Sequence, residues 1–217
     1  MKAATNAREE IFRRIRAAGP IPVPEIPRDY RTRGDGSDIV AEMEEKLVDY
    51  TAKVTHAATA ADVPAAIAEA LSDAASVVVP PGLDPAWAEA AAKGREIHVD
   101  EPPLSNAELD RIDAVVTASR VAVALSGTIM LDGAPDMGRR AISLVPDTHV
   151  VVLKASDVKA TVPEAVAVLG ENPTRPTTWI AGPSATSDIE LVRVDGVHGP
   201  RNLRVIIVDD GEDNSNN

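Results

Sequence analysis

The residues best suited to chemistry lie near the carboxyl end of the chain, in IAGPSATSDIELVRVDGVHGP, residues 180–200. Backbone N–H groups and hydroxyls at the start of a helix bind anions, and a histidine in a glycine-rich turn can act as a general acid or base. Helix capping alone would also explain the hydroxyls. We predict three ligand-binding and three catalytic residues here, respectively Gly182, Ser184 and Thr186, and Asp188, Glu190 and His198.

A second candidate segment is LSGTIMLDGAPDMGRR, residues 125–140. Ser126, Gly127 and Thr128 interrupt two apolar runs, so backbone N–H groups there can approach a carboxylate or phosphate closely, with hydroxyls beside them. Arg139 and Arg140 add guanidinium donors suited to the same groups. A glycine turn between strands, and surface pairing of the arginines with carboxylates, would explain these residues equally well without a ligand.

Several common catalytic and nucleotide-binding patterns are missing from the sequence. GAPDMG has no Lys-Ser/Thr after its glycines, no G-x-G-x-x-G occurs, and ALSGT does not have the spacing of a nucleophile elbow. We predict no metal site, because the histidines do not stand at ligand spacing, although the three catalytic candidates above could converge on one divalent ion. The histidines are His56, His98, His149 and His198.

The overall charge and composition bear on partners and location. The 217 residues carry a formal net charge of -12, which disfavours binding to nucleic acid or to an anionic membrane. We expect a cytoplasmic protein with no membrane span, because no run approaches the roughly 18 apolar residues that a bilayer requires. The chain contains no cysteine, so it cannot hold an iron-sulfur cluster through thiolates.

The order of predicted elements indicates three regions. Residues 1–36 read as a basic helical arm with a Pro-rich connector, residues 37–208 as an α/β domain, and residues 209–217 as a disordered acidic tail. In the domain, SVVVPPG and DAVVTAS are typical of strands buried on both faces, and helices alternate with them. VAVAL, TIMLDG, AISLVP and HVVVLKA then predict neighbouring strands, and LRVIIVDD predicts a closing one.

This order predicts an α/β fold, three-layered α/β/α, with a largely parallel central sheet. Ligands of such sheets bind outside the carboxyl ends of the strands. We expect three segments to lie there and to form one cleft: SGT after Leu125, GPSATSD after TTWIA, and PPG after Val79.

The segments GPSATSDIE, GVHGP, SGTIMLDG and RRAISLVPDTHVVVL together resemble the lactate-utilisation protein C family, whose members contain a LUD domain. The resemblance extends from IPRDY to LRVIIV. It implies a fold similar to the sugar-phosphate isomerase and CoA-transferase (NagB/RpiA-like) group. It also implies a role in the oxidation of L-lactate to pyruvate, with iron-sulfur clusters on two partner subunits. We expect this chain to be an accessory subunit without a cofactor of its own, which binds a small carboxylate or another organic ligand at the strand ends.

Two other functions remain open at this stage. One is a stand-alone enzyme resembling a CoA transferase or formyltetrahydrofolate cyclo-ligase. Many members of the resembling family carry Glu-Thr before the Gly-Thr where this chain has Leu125-Ser126, so a carboxylate that could act as the transferase nucleophile is missing here. The other is a structural module that docks partners through its N-terminal arm. A homo-oligomer is compatible with each function.

Overall fold

The structure, a computed structural model, describes residues 6–19, 24–36, 38–186 and 194–210. It divides into two units, Met1–Arg31 and Thr32–Asn217. The first unit contains helix α1, Ala7–Ala17, which Asn6 caps by accepting a hydrogen bond from a backbone N–H of the first turn. No residue of α1 is buried, and its exposed apolar side chains are Ile11, Phe12 and Ile15.

The second unit is an α/β domain built from twelve strands and six helices within the described residues. The helices are α2 (Ile39–Asp49), α3 (Val63–Ala70), α4 (Pro85–Ala92), α5 (Asn106–Leu109), α6 (Arg140–Leu144) and α7 (Val162–Leu169). The strands are β1 (Lys53–Ala57), β2 (Ser76–Val79), β3 (Glu96–Val99), β4 (Ala114–Thr117), β5 (Val121–Val123), β6 (Thr128–Leu131), β7 (Thr148–Lys154), β8 (Val158–Lys159), β9 (Thr178–Ala181), β10 (Ala185–Thr186), β11 (Val194–Asp195) and β12 (Asn202–Val208).

Six of these strands form a central sheet in the order β1-β12-β7-β4-β2-β3, and every pairing in it is parallel. A smaller sheet has the order β8-β5-β6-β9, with only the β5–β8 pairing parallel. The short strands β10 and β11 pair with each other.

Helices lie on both faces of the central sheet because its strands bury alternate residues on each side. On one face, Val150 and Val152 of β7 pack in a core with residues of α3 and α4. On the other face, Val151 and Leu153 pack with α2 and with strands of the smaller sheet. The predicted α/β fold with a parallel central sheet is therefore confirmed.

Two predictions about the elements are wrong. AISLVP is helix α6 rather than a strand, because Ile142 packs against the central sheet from a helical turn that begins at Arg140. The strands beside SGT and GPSATSD belong to the smaller sheet, so these segments do not follow strands of the central sheet. Of the three segments, only the PPG turn follows a strand of the central sheet, namely β2.

Within the described residues, the helices are too short or too polar to cross a membrane.

Candidate functional site

Two turns that are distant in sequence border an open cavity of about 250 Å³, which we call the turn cavity. It is lined by residues 179–185 and 198–200, together with Ser143, Leu144, His149 and Leu203. His149 and Leu203 stand second in β7 and β12, so the turn cavity lies toward the amino ends of the central strands.

Ser184 holds the two turns of the turn cavity together. Its backbone N–H donates to the carbonyl of Pro200 at 2.8 Å, and its own carbonyl accepts from the N–H of Gly196 at 2.8 Å. Its hydroxyl oxygen accepts from the backbone N–H of His198 at 3.0 Å. The GPS and GVHGP segments are therefore joined by two backbone–backbone hydrogen bonds and by one bond to the Ser184 hydroxyl.

His149 is a functional candidate that the sequence did not single out. Its side chain is fully buried, and one hydrogen bond of 2.8 Å joins its Nε2 to Oγ1 of Thr117. Its Nδ1 is buried and has no hydrogen-bond partner among the described residues. Burial lowers the pKa of His149 to about 4, so the ring is neutral at neutral pH. The sequence did contain a signal for the burial of His149, because the residue begins the apolar run HVVVL and such a run predicts a buried strand.

The predicted residues of the 180–200 stretch divide by position. Gly182, Ser184 and His198 line the turn cavity, and the His198 side chain is exposed. Thr186 is described only by its place in β10. Asp188 and Glu190 lie outside the described residues.

Ser126, Gly127 and Thr128 are absent from the lining of the turn cavity. The hydroxyls of Ser126 and Thr128 are hydrogen-bonded to each other at 2.8 Å. Gly127 has a φ of 59°, and a Cβ placed on it would lie 2.8 Å from Cβ of Lys46 in α2. Close packing of α2 and a left-handed backbone therefore explain this glycine without a ligand.

Arg139 and Arg140 are likewise absent from the lining of the turn cavity. Arg139 forms a two-pronged ion pair with Asp100, with Nε–Oδ2 and Nη2–Oδ1 distances of 2.6 and 2.9 Å, and also donates to the carbonyl of Leu104. Burial by itself raises the pKa of Asp100, but hydrogen bonds from Arg139 and the backbone N–H of Leu104 hold it below its ordinary value. Arg140 begins α6 and is exposed.

A second and larger cleft, of about 820 Å³, lies at the carboxyl ends of the central strands. We call it the carboxyl-edge cleft. The segments after β2 and β4 and the end of β7 contribute to it, as do loops next to β6 and β9. This is the edge of a parallel sheet at which ligands usually bind. The charged and aromatic lining residues of the cleft are Asp84, Trp87, Arg120, Asp136, Lys154, Asp157 and Arg175.

Three cations from separate elements border the carboxyl-edge cleft, namely Arg120, Lys154 and Arg175. Asp132, whose side chain is 2% exposed, lies 3.1 Å from Nη1 of Arg175 and 4.0 Å from Nε of Arg120. Arg120 also pairs with Glu171 through Nη2. Its Nε is buried and has no hydrogen bond among the described residues. Arg120 and Arg175 are therefore already paired with carboxylates, whereas Lys154 is exposed at the cleft.

Two carboxyl groups of the carboxyl-edge cleft are easier to protonate than usual. Burial raises the pKa of Asp136, and the nearby Asp132 adds to this while Lys154 opposes it. Burial also raises the pKa of Asp157, again opposed by Lys154. The arrangement can bind an organic anion beside a group that exchanges protons.

These groups were not predicted from the sequence, although a signal for two of them was present. Arg120 follows the DAVVTAS run, and Lys154 ends the HVVVL run. Polar residues directly after buried parallel strands are expected at the ligand-binding edge. Arg175 precedes a strand of the smaller sheet, and no pattern in the sequence indicated its position.

The fold makes this an α/β protein, and its charged cleft lies at the carboxyl edge of a parallel sheet. The model of the LUD domain family matches residues 40–208. The chain therefore belongs to the LUD domain family, which confirms the resemblance stated above.

Three relatives indicate how far the similarity extends. The chain is 49% identical over 174 residues to a lactate utilization protein C of Deinococcus radiodurans, which covers 79% of this chain and 80% of the relative. It is 32% identical over 132 residues to a lactate utilization protein C of Bacillus subtilis, and this match spans 58% of the chain and 51% of that relative. A crystal structure of a DUF162 family protein from Deinococcus radiodurans superposes with a TM-score of 0.68 at 43% identity, over 79% of this chain and 97% of the other.

Proposed function

We propose that this protein takes part in lactate utilization by binding a small organic carboxylate in the carboxyl-edge cleft, as an accessory protein to partners that hold iron-sulfur clusters. The observation that carries the proposal is the convergence of Arg120, Lys154 and Arg175 on this cleft. The names of the relatives support the metabolic role. Each cation can form a charge-assisted hydrogen bond to a carboxylate.

The charges of the lining residues favour carboxylate binding in this cleft over binding in the turn cavity. The turn cavity contains only part of the site that was predicted from the sequence. The described lining of the turn cavity includes neither Lys nor Arg, so a carboxylate there would be desolvated without a countercharge. In the carboxyl-edge cleft, the raised pKa values of Asp136 and Asp157 reduce repulsion of an anion as the pH falls. We therefore expect carboxylate binding to strengthen as the pH falls toward the raised pKa values of these two groups.

The chain contains two tryptophans, and each lines a different cavity, so binding can be followed at one site at a time. In a Trp179→Phe variant, Trp87 reports on the carboxyl-edge cleft alone. Titration with L-lactate and with pyruvate should give a saturable change in its fluorescence. Lys154→Met in this background should weaken binding about fivefold, which corresponds to about 1 kcal/mol for an exposed ion pair.

The matched control is Lys53→Met, because Lys53 is also exposed but begins β1 at the opposite edge of the sheet. Its affinity should equal that of the parent. Equal affinities for Lys154→Met and Lys53→Met would contradict the placement of the ligand, and an absence of saturable binding would contradict the proposal itself.

The partner proposal rests on chemistry, because this chain has no cysteine thiolate with which to hold a cluster for electron transfer. Co-purification with candidate iron-sulfur subunits from the same operon or genome region tests it. Lack of complex formation at micromolar concentrations of both proteins would argue against an assembly.

One observation favours the alternative of a transferase-like enzyme. Asp136 supplies a cleft carboxyl group of the kind that Leu125-Ser126 lacks. The Trp87 titration repeated with acetyl-CoA, ATP-magnesium and a folate distinguishes the two functions. Tighter binding of acetyl-CoA than of lactate or pyruvate, lost in Asp136→Asn, would favour the transferase-like one.

A further inference from the structure

We propose that strand β3 binds a second copy of this chain, so that two central sheets join edge to edge about a two-fold axis at Ile97. β3 is the last strand of the central sheet, and among the described residues it pairs only with β2. The two copies of β3 run antiparallel and exchange backbone hydrogen bonds. Residues of β3 line neither the turn cavity nor the carboxyl-edge cleft, so this inference is independent of the proposed carboxylate.

The backbone of β3 has hydrogen-bonding groups on its free edge. Glu96 and Asp100 donate their N–H groups toward β2, to the carbonyls of Ala75 at 2.9 Å and Val79 at 3.1 Å. Successive residues of a strand direct these groups to opposite sides, so the N–H and C=O of Ile97 face away from β2. Ile97 of each copy can therefore exchange two hydrogen bonds with Ile97 of the other, as a hydrogen-bonded antiparallel pair does.

The side chains of β3 are self-complementary when Ile97 lies at the axis. Ile97, a residue that is 36% exposed in the single chain, then packs against Ile97 of the second copy. The same register places Glu96 opposite His98 of the second copy, and the two-fold axis creates this pair twice. Nε2 of His98 already lies 3.2 Å from Oε1 of Glu96 within one chain, so both groups are on one face of the strand and can bond to each other.

The charges disfavour the register in which His98 lies at the axis. Glu96 would then face Asp100 of the second copy, and like charges directly opposite each other destabilise a strand pair. The register centred on Ile97 avoids this repulsion and brings a carboxylate and an imidazole together instead.

The other edge of the central sheet, strand β1, is not complementary to itself in this way. β1 has no acidic side chain, but it begins with Lys53 and contains His56. Pairing of two β1 strands would bring no opposite charges together, and a lysine on an edge strand disfavours the addition of another strand. The second copy is therefore expected at β3.

Sedimentation velocity on the full chain, from micromolar to near-millimolar concentrations, tests the association. The parent should form a species of twice the monomer mass. Ile97→Lys places two like charges at the axis and should weaken dimerisation about fivefold or more. Thr55→Lys is the matched control, because Thr55 is exposed in the middle of β1, and this variant should dimerise as the parent does.

An exchange of side chains tests the register. Glu96→His and His98→Glu each replace the two opposite pairs by pairs of like groups, and each should weaken dimerisation about fivefold. The double variant restores a carboxylate opposite an imidazole, so it should recover the affinity of the parent. A merely structural effect of either substitution would not be rescued in this way.

Cross-linking provides a second measurement, because the chain has no cysteine and a single introduced one reports on contact between copies. Oxidised Ile97→Cys should become a disulfide-linked dimer, whereas Val99→Cys, which lies opposite Arg95 of the second copy, should not. A monomer at every concentration would overturn the proposal. So would a dimer that Ile97→Lys leaves unchanged, a double variant that is not rescued, or equal cross-linking of the two cysteine variants.

Discussion

Replacing Arg139 with methionine should destabilise the protein strongly, because the substitution leaves a buried carboxylate without its ion partner. The side chain of Asp100 is 4% exposed, and Arg139 supplies two of its hydrogen bonds. Removing one member of a buried ion pair costs about 3–5 kcal/mol. Since the Arg139 side chain is 36% exposed, we expect a loss of about 2–4 kcal/mol in the free energy of unfolding at pH 7.

The loss should depend on pH in a defined direction. In the parent, the pKa of Asp100 is lowered, so the ion pair contributes stability above the ordinary pKa of 3.8, and this contribution is lost as the pH falls through the lowered value. In Arg139→Met, burial is the largest remaining effect and raises the pKa of Asp100. Protonation of Asp100 then removes the unpaired buried charge from the variant. The difference in stability between parent and variant should therefore shrink from pH 7 toward pH 3.

Urea unfolding followed by tryptophan fluorescence measures both effects. Arg140→Met is the matched control, because the neighbouring arginine is exposed, and its effect should stay within about 0.5 kcal/mol. A loss below about 1 kcal/mol for Arg139→Met at pH 7, or one that stays constant with pH, would refute the role assigned to the ion pair.

Two further predictions concern stability. Gly127→Ala should cost about 2–3 kcal/mol, because the residue has a φ of 59° and a new Cβ would lie 2.8 Å from Cβ of Lys46; a melting temperature equal to that of the parent would contradict this. Arg204 binds Asp73 through two contacts of 2.6 Å and lowers its pKa from 3.8 to about 2. Stability should therefore fall between pH 4 and pH 2, by about 1 kcal/mol or less because the carboxylate is 65% exposed, and Asp73→Asn should flatten this part of the pH profile measured by urea unfolding.

The sequence by itself predicted those parts of the fold that depend on local pattern. The apolar runs predicted β2, β4, β7 and β12, since strands buried on both faces lack polar alternation. Ser105 and Glu108 have the Ser-x-x-Glu spacing of a capping box, and they form this box at the start of α5. The four motifs that carried the family resemblance also needed no structure.

Sheet membership could not be read from the sequence, because strands of both sheets look alike as short apolar runs. TTWIA was predicted as a strand and is one, yet it pairs antiparallel with β6 in the smaller sheet. The turn after it therefore lies away from the carboxyl edge of the central sheet, and the single cleft predicted from three strand ends becomes two.

The chemical character of the two cavities was likewise decided by tertiary structure. His149 and Thr117 are separated by 32 residues, and only the pairing of β4 with β7 places their side chains on one face of the sheet. Arg139 and Arg140 are neighbours of the same residue type, but Arg139 is paired with the buried Asp100, whereas Arg140 is exposed. Residue types limit which chemistry is available, whereas burial and long-range contacts decide which groups remain free to perform it.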